Sequence, residues 1–193
     1  MAQSKYIQSV LDAAKGRPKS TEWYKDKIKE FGKPGAMDLI RDGKRDSRPF
    51  YGRLNMFIYD PKFKKTLPYY DTFPLVLPLE KYDDGFLGIN LHYLPVRSRA
   101  VLMTRLVDNM LQTSSTGEYL DLQYRTLADA SRYAEVKPCI KRYLITQIQG
   151  QMIQVPPEEW MKTIFLPLEN FQKRSRSFVW QQSKRISMGR PYG

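Results

Sequence analysis

The chain has 193 residues, enough for one domain with its own core, and its 41% hydrophobic and 27% charged content excludes a wholly disordered polypeptide. No run approaches about 18 apolar residues, which excludes a transmembrane helix, and a single cysteine, Cys139, excludes an internal disulfide. With 32 Lys and Arg against 20 Asp and Glu, the formal net charge is +12, a long-range attraction for polyanions or for an acidic protein.

In chain order, residues 4–15 read as a helix, with Tyr6, Ile7, Val10, Leu11 and Ala14 at helical spacing and Gly16 and Pro18 ending it. This start is amphipathic rather than a basic head before an apolar block, so no secretory signal is expected. Ser20 caps a second short helix carrying Trp23, Ile28 and Phe31. Residues 32–50 read as loop, dense in Gly, Pro and charge. Residues 52–59 alternate, with Leu54, Met56 and Ile58 facing one way and Asn55, Phe57 and Tyr59 the other, which predicts a strand. Asp60-Pro61-Lys62 is a turn. Residues 73–79 are apolar, but Pro74 and Pro78 demote them to an edge strand or extended segment. Asp83-Asp84-Gly85 is a turn, and the alternating residues 86–93 pair back on 73–79 as a hairpin.

After Pro95, residues 96–112 form a helix marked by Met103, Leu106, Val107, Met110 and Leu111, and residues 118–133 a second. Pro138 starts a short helix through Leu144, and residues 152–155 read as a short strand. Pro156-Pro157-Glu158-Glu159 starts a helix carrying Trp160, Ile164 and Phe165. Residues 170–186 are a basic amphipathic segment with Phe171, Phe178, Val179 and Ile186 at helical spacing. The expected fold is α+β: a small antiparallel sheet or hairpin over about residues 52–93, packed with several helices. Residues 1–50 form a basic helical N-terminal arm, 51–169 a compact core, and 170–193 a basic amphipathic C-terminal arm.

No catalytic constellation stands out. One His and one Cys cannot build a conventional zinc site, and neither a P-loop nor a dinucleotide fingerprint is present. His92 reads as a structural residue with a buried partner, and a Cys139–His92 pair lacks the third group that would orient the base. Asp71, Glu80, Asp83 and Asp84 cluster in sequence as a metal-dependent nuclease would need. However, Asp83 and Asp84 read more simply as turn formers and Glu80-Lys81 as a solvated pair. No catalytic residue, metal ligand or cofactor is expected.

The charge is uneven. Residues 1–65 hold 16 Lys and Arg against 8 acids, residues 66–137 hold 7 against 9, and residues 138–193 hold 9 against 3. After Glu169 no acid remains, while Lys173, Arg174, Arg176, Lys184, Arg185 and Arg190 follow. These basic side chains, with Lys141 and Arg142, are the candidates for contact with phosphates or an acidic partner. Three readings of residues 170–190 stay open: a DNA-backbone arm, a helix docked on its own core by Phe171, Phe178 and Val179, or an assembly arm ordered by neighbouring subunits.

The near-neutral middle carries the distinctive strings. They are Arg48-Pro49-Phe50-Tyr51-Gly52, Leu67-Pro68-Tyr69-Tyr70-Asp71-Thr72-Phe73-Pro74-Leu75 and Gly85-Phe86-Leu87-Gly88-Ile89-Asn90-Leu91-His92-Tyr93-Leu94-Pro95. Further along come Ile140-Lys141-Arg142-Tyr143 and Pro157-Glu158-Glu159-Trp160. Over about residues 48–180 this resembles a family of small virion proteins of large contractile-tailed bacteriophages, described as structural, tail or DNA-end-protector proteins. The resemblance implies a non-enzymatic component of the tail, baseplate or neck, assembled in the host cytoplasm into the virion. Its partners would be other phage structural proteins in a symmetric multi-subunit assembly, with no membrane. The alternative it implies is a basic protein that binds double-stranded DNA and shields the packaged terminus.

Tyr gives contact area at low entropy cost, so the aromatic middle suits an interface as well as a core. Candidate protein-contact residues are Tyr69, Tyr70, Asp71, Phe73 and Tyr93, with Gly88, Asn90 and His92 on the same strings. Trp160, Phe178 and Trp180 complete the set. A glycine in a strand, as at Gly88, permits close approach of another backbone or ring.

Overall fold

A computed structural model of the chain describes residues 44–111, 134, 136–156 and 159–189. The helices expected over 4–15, 20–31 and 118–133 lie outside the described residues, as does most of the N-terminal arm.

Eight strands are present among the described residues: β1 (Lys44–Asp46), β2 (Asn55–Tyr59), β3 (Tyr70–Asp71), β4 (Leu75–Tyr82), β5 (Gly85–Asn90), β6 (Ile140–Leu144), β7 (Ile148–Gln154) and β8 (Phe171–Gln172). Six of them form one sheet in the order β1-β7-β2-β4-β5-β6, and β3 and β8 form a two-stranded ribbon. Every pairing is antiparallel. Two helices of length, α1 (Val96–Leu111) and α3 (Arg176–Ser187), and a single turn, α2 (Trp160–Thr163), accompany the sheet.

This corrects the expected small hairpin packed with several helices. The predicted hairpin is there, since β4 and β5 pair from Val76 with Asn90 to Tyr82 with Gly85 across the acidic turn. It lies inside a larger sheet, with β2 on one side and β6 on the other. Residues 140–144 are a strand rather than a helix, residues 148–154 extend the short strand expected at 152–155, and residues 44–46 pair with β7 rather than looping. Of the helix expected from Pro138 to Leu144, only Pro138 and Cys139 turn helically, in the single turn Lys137–Cys139.

Alternation explains how the sheet buries both faces. On β4, Leu75 and Leu77 point to one side, where Leu54, Met56 and Ile89 join Met103, Trp160 and Val179 from the helices and Ile164 just after α2. Val76 points to the other side, into a cluster of Phe57, Tyr59, Phe86, Tyr143 and Met152. Phe57 and Tyr59 each meet Tyr143 edge to face, with centroids 5.3 and 5.0 Å from it, while Phe86 stacks on Tyr143 at 5.4 Å. Each fully buried Leu or Phe contributes roughly 1.5–3 kcal/mol.

Two details differ from simple alternation. The register shifts between Met56 and Ile58, and Ile58 turns out to solvent, 56% exposed. Segment 73–79 was expected at an edge because of its prolines. Instead β4 runs between β2 and β5, with β2 pairing only at Leu75 and Val76, and Pro78 sits where the β4–β5 register shifts, the bulge setting in which a strand tolerates proline.

Candidate nucleic-acid interface

The strand β5 ends at Asn90 because its side chain turns back on the chain. Asn90 Oδ1 accepts from the His92 N–H at 3.0 Å and caps the helical turn Leu91–Tyr93. This moves His92 from the expected strand into that turn. Its Nδ1 lies 2.7 Å from Asp71 Oδ2, which also accepts from Asn90 Nδ2 at 3.2 Å. Asn90 Nδ2 further reaches the Tyr143 hydroxyl at 3.1 Å. The second Asp71 oxygen accepts the N–H groups of Phe73 at 3.0 Å and Asn170 at 3.2 Å. One carboxylate thus joins β3, the end of β5 and the approach to β8.

Burial pushes the Asp71 carboxyl up, but the His92 charge and the hydrogen bonds from His92, Phe73 and Asn90 outweigh it and hold the group below its ordinary range. Asp71 therefore stays ionised at neutral pH, as an orienting group inside the fold.

Arg99 does the equivalent work on the helix side. Its side chain is fully buried and donates to the carbonyls of Leu94 at 2.8 Å, His92 at 3.2 Å and Ile164 at 3.3 Å, and to Glu169 at 3.4 Å. The Trp180 indole N–H donates to the same His92 carbonyl at 2.9 Å. Arg99 and Arg176 both lie against the Trp180 ring, at 5.5 and 5.8 Å from its centroid. Arg176 also pairs with Glu169 at 3.6 Å. With Val179, Gln182 and Ser183 buried beneath it, α3 is seated on the core, its start capped by Ser175. Of the three readings of the C-terminal segment, the docked helix describes residues 176–187.

Beside this framework opens a cleft of about 560 Å³ between the loop 61–70 and strand β6. Tyr59 and Tyr143 form part of its lining, together with Tyr69 and Tyr93, and these four rings are buried. Phe63, 63% exposed, and half-buried Tyr70 are the lining rings that solvent reaches most. Lys62, Lys141 and Arg142 bring cations to the same cleft. The Lys141 ammonium lies 4.2 Å from the Tyr93 ring centroid, and burial pulls it below the ordinary lysine range. Arg142 pairs with Asp84 and lies 4.3 Å from the Tyr82 ring centroid.

The basic C-terminal segment meets this cleft. Lys173 adopts a left-handed backbone, φ +69°, and its ammonium donates to the carbonyls of Lys65 at 3.0 Å and Leu67 at 2.8 Å. Arg174 lies 5.2 Å from the Phe178 ring centroid, and Phe178 packs edge-on to Tyr69 at 6.3 Å. Two basic runs, 62–65 and 173–176, are thereby held around one aromatic group.

The sequence-derived contact residues divide by burial. Asn90, His92, Trp160 and Gly88 lie inside the chain, and Tyr69, Asp71 and Tyr93 keep at most 8% exposure, so these side chains shape the fold and offer almost no surface to a neighbour. Tyr70, Phe73 and Trp180 are half-buried and Phe178 is exposed. The backbone approach expected at Gly88 is real: a Cβ there would run into Val76 Cγ1 and stand 3.0 Å from the Leu77 carbonyl oxygen. Among the basic candidates, Lys141 is half-buried and Arg142, Lys173, Arg174, Arg176, Lys184 and Arg185 are exposed. Lys184 and Arg185 fall in the last turn of α3, at its far end from Lys173.

Lys62, Phe63 and Arg99 escaped the sequence reading. A Phe set among lysines just after a turn is the sequence signal that could have marked the first two; nothing in the sequence marks Arg99 as buried. Cys139 is fully buried and its thiol is pushed up to about 12 by burial, with no nucleophilic character at neutral pH. The carboxylates do not converge: Asp71 is buried on His92, while Glu80 contacts the Tyr82 hydroxyl and Asp84 contacts Arg142. Among the described residues no three His, Cys, Asp or Glu side chains share a metal-sized site.

The fold and this face define a small antiparallel-sheet protein with a cationic, aromatic cleft. The family model for the phage T4 terminal DNA protecting protein matches residues 4–186, and the chain belongs to that family. No curated protein and no solved structure matches it.

Proposed function

We propose that this protein binds the end of linear double-stranded phage DNA and shields it, acting by occupancy rather than by breaking bonds. The observation that carries this reading is the Lys173 ammonium on the Lys65 and Leu67 carbonyls, which gathers two distant basic runs beside one aromatic cleft. Cations spaced around rings suit a nucleic-acid end, because Lys and Arg neutralise phosphates while rings accept bases. The family description points the same way, since it speaks of DNA termini. It does not speak of tail, baseplate or neck, so the DNA-end reading takes precedence over the structural one. The protein would act where that terminus lies, in the particle or in the infected cytoplasm.

The test is binding to a short linear duplex over a salt series. A steep linear fall of log affinity with log salt supports the reading. Absence of binding at low salt overturns it.

A further inference from the structure

We infer that the 560 Å³ cleft is a pocket for the terminal nucleotide of the DNA strand, with Phe63 and Tyr70 receiving the base and Lys62, Lys141 and Arg142 facing its phosphate. This rests on the DNA-end reading and adds to it the means by which an end is told from the interior of a duplex.

The size is the first reason. Pockets for single small molecules run from roughly 300 to 1,000 Å³, so this cleft suits a nucleotide and cannot admit a base-paired duplex. The lining is the second. Most of its rings are buried and rigid: Tyr69 and Tyr93 pack 6.0 Å apart, and Tyr93 meets Phe171 at 5.1 Å. Phe63 by contrast stands 63% exposed among charged neighbours, where a ring has no folding role that needs it there. An exposed ring beside rigid ones is a stacking surface, and base–aromatic stacking tolerates any base.

Charge is the third reason. The two carboxylates on the lining are already engaged, Asp71 by His92 and Asp84 by Arg142. Lys62 and Lys141 lie over rings, at 5.6 Å from the Phe63 centroid and 4.2 Å from the Tyr93 centroid, and neither forms an ion pair with a carboxylate among the described residues. The cleft therefore carries a positive surplus beside its aromatic surface.

Selectivity for ends follows from energetics. A base inside a duplex is stacked and paired on both sides, and extracting it costs a few kcal/mol; a terminal base frays at much lower cost. The basic face would supply affinity for any DNA, and the cleft would supply preference for a terminus.

The experiment uses the full chain and a short duplex carrying 2-aminopurine at either the last or a central position. A second duplex has the same sequence closed by hairpin loops at both ends. The expected result is a fluorescence change at the terminal position alone. Phe63→Ala should weaken binding to the open duplex about tenfold while changing binding to the closed one less than twofold. Arg142→Ala, also exposed, serves as a second variant with the same direction.

If the wild-type chain binds the open duplex but leaves terminal 2-aminopurine unchanged, or if both variants keep the full preference for open ends, the cleft is not the terminal pocket and the DNA-end reading survives. If the wild-type chain binds neither duplex, both fall.

Discussion

The Lys173 ammonium sits 2.8 Å from the Leu67 carbonyl oxygen and 3.0 Å from that of Lys65, across more than a hundred residues of chain. It does so from a left-handed backbone, φ +69°, which costs a non-glycine residue about 1 kcal/mol. The strain is held where the C-terminal segment meets the loop of the cleft.

The two contributions at Lys173 can be separated. Lys173→Ala loses the ammonium bonds and keeps the strain, while Lys173→Gly loses the bonds and relieves it. Urea unfolding should find the Gly variant more stable than the Ala variant by about 1 kcal/mol. Equal stabilities would show that the left-handed backbone carries no cost here.

Asp71 makes a pH prediction. Its folded-state value is lowered from the ordinary 3.8, so its stabilisation is complete above about pH 3.8 and is lost as pH falls through the lower folded value. Asp71→Ala should cost roughly 1–3 kcal/mol at pH 7, because it removes the buried hydrogen-bond partner shared by His92 Nδ1, Asn90 Nδ2 and the N–H groups of Phe73 and Asn170. Asp71→Asn should lack the part of the acid-side slope that wild type owes to this group. Identical acid slopes for wild type and the Asn variant would contradict the assignment.

Gly88→Ala should destabilise by about 1–3 kcal/mol, since the new methyl meets Val76 Cγ1 and the Leu77 carbonyl oxygen. Val76→Ala removes the first obstacle. A double-mutant cycle should therefore show the pair less destabilised than the sum, by at least about 0.5 kcal/mol. Strict additivity would mean that the Gly88 requirement comes from the backbone alone.

Cations that face phosphates set the salt dependence of binding. Arg174→Ala and Lys62→Ala should each lower the slope of log affinity against log salt by about 0.9, with little effect on folding because both side chains are exposed. Unchanged slopes would remove these residues from the DNA contact.

The legible parts of the fold were those with local signals. β5 alternates cleanly between turn residues, and its hairpin with β4 follows from Asp83 and Asp84 between two apolar runs. Residues 140–144 carry a helical signal, because Pro138 is a common helix start and Ile140, Tyr143 and Leu144 also fit helical spacing. Only pairing with β5 decides for a strand. Pro78 was read by the rule for ladder prolines, and a register shift supplied the exception.

The site was legible in its chemistry and not in its geometry. Tyr69, Tyr70, Lys141, Arg142 and Lys173 drew notice by type, yet nothing local pairs Asp71 with His92 or brings Lys173 to Leu67. Those contacts exist because the sheet and α3 fold the chain back on itself. Nothing local marks Arg99 as buried, because its burial depends on carbonyls from two separate segments, His92 and Leu94 in one and Ile164 in the other.

The most direct test of the central claim is exonuclease digestion of linear double-stranded DNA in the presence of the purified chain. Saturating protein should slow digestion from free ends, and added closed circular DNA should compete poorly for it. Digestion at an unchanged rate, or equal competition by circular and linear DNA, would contradict the claim.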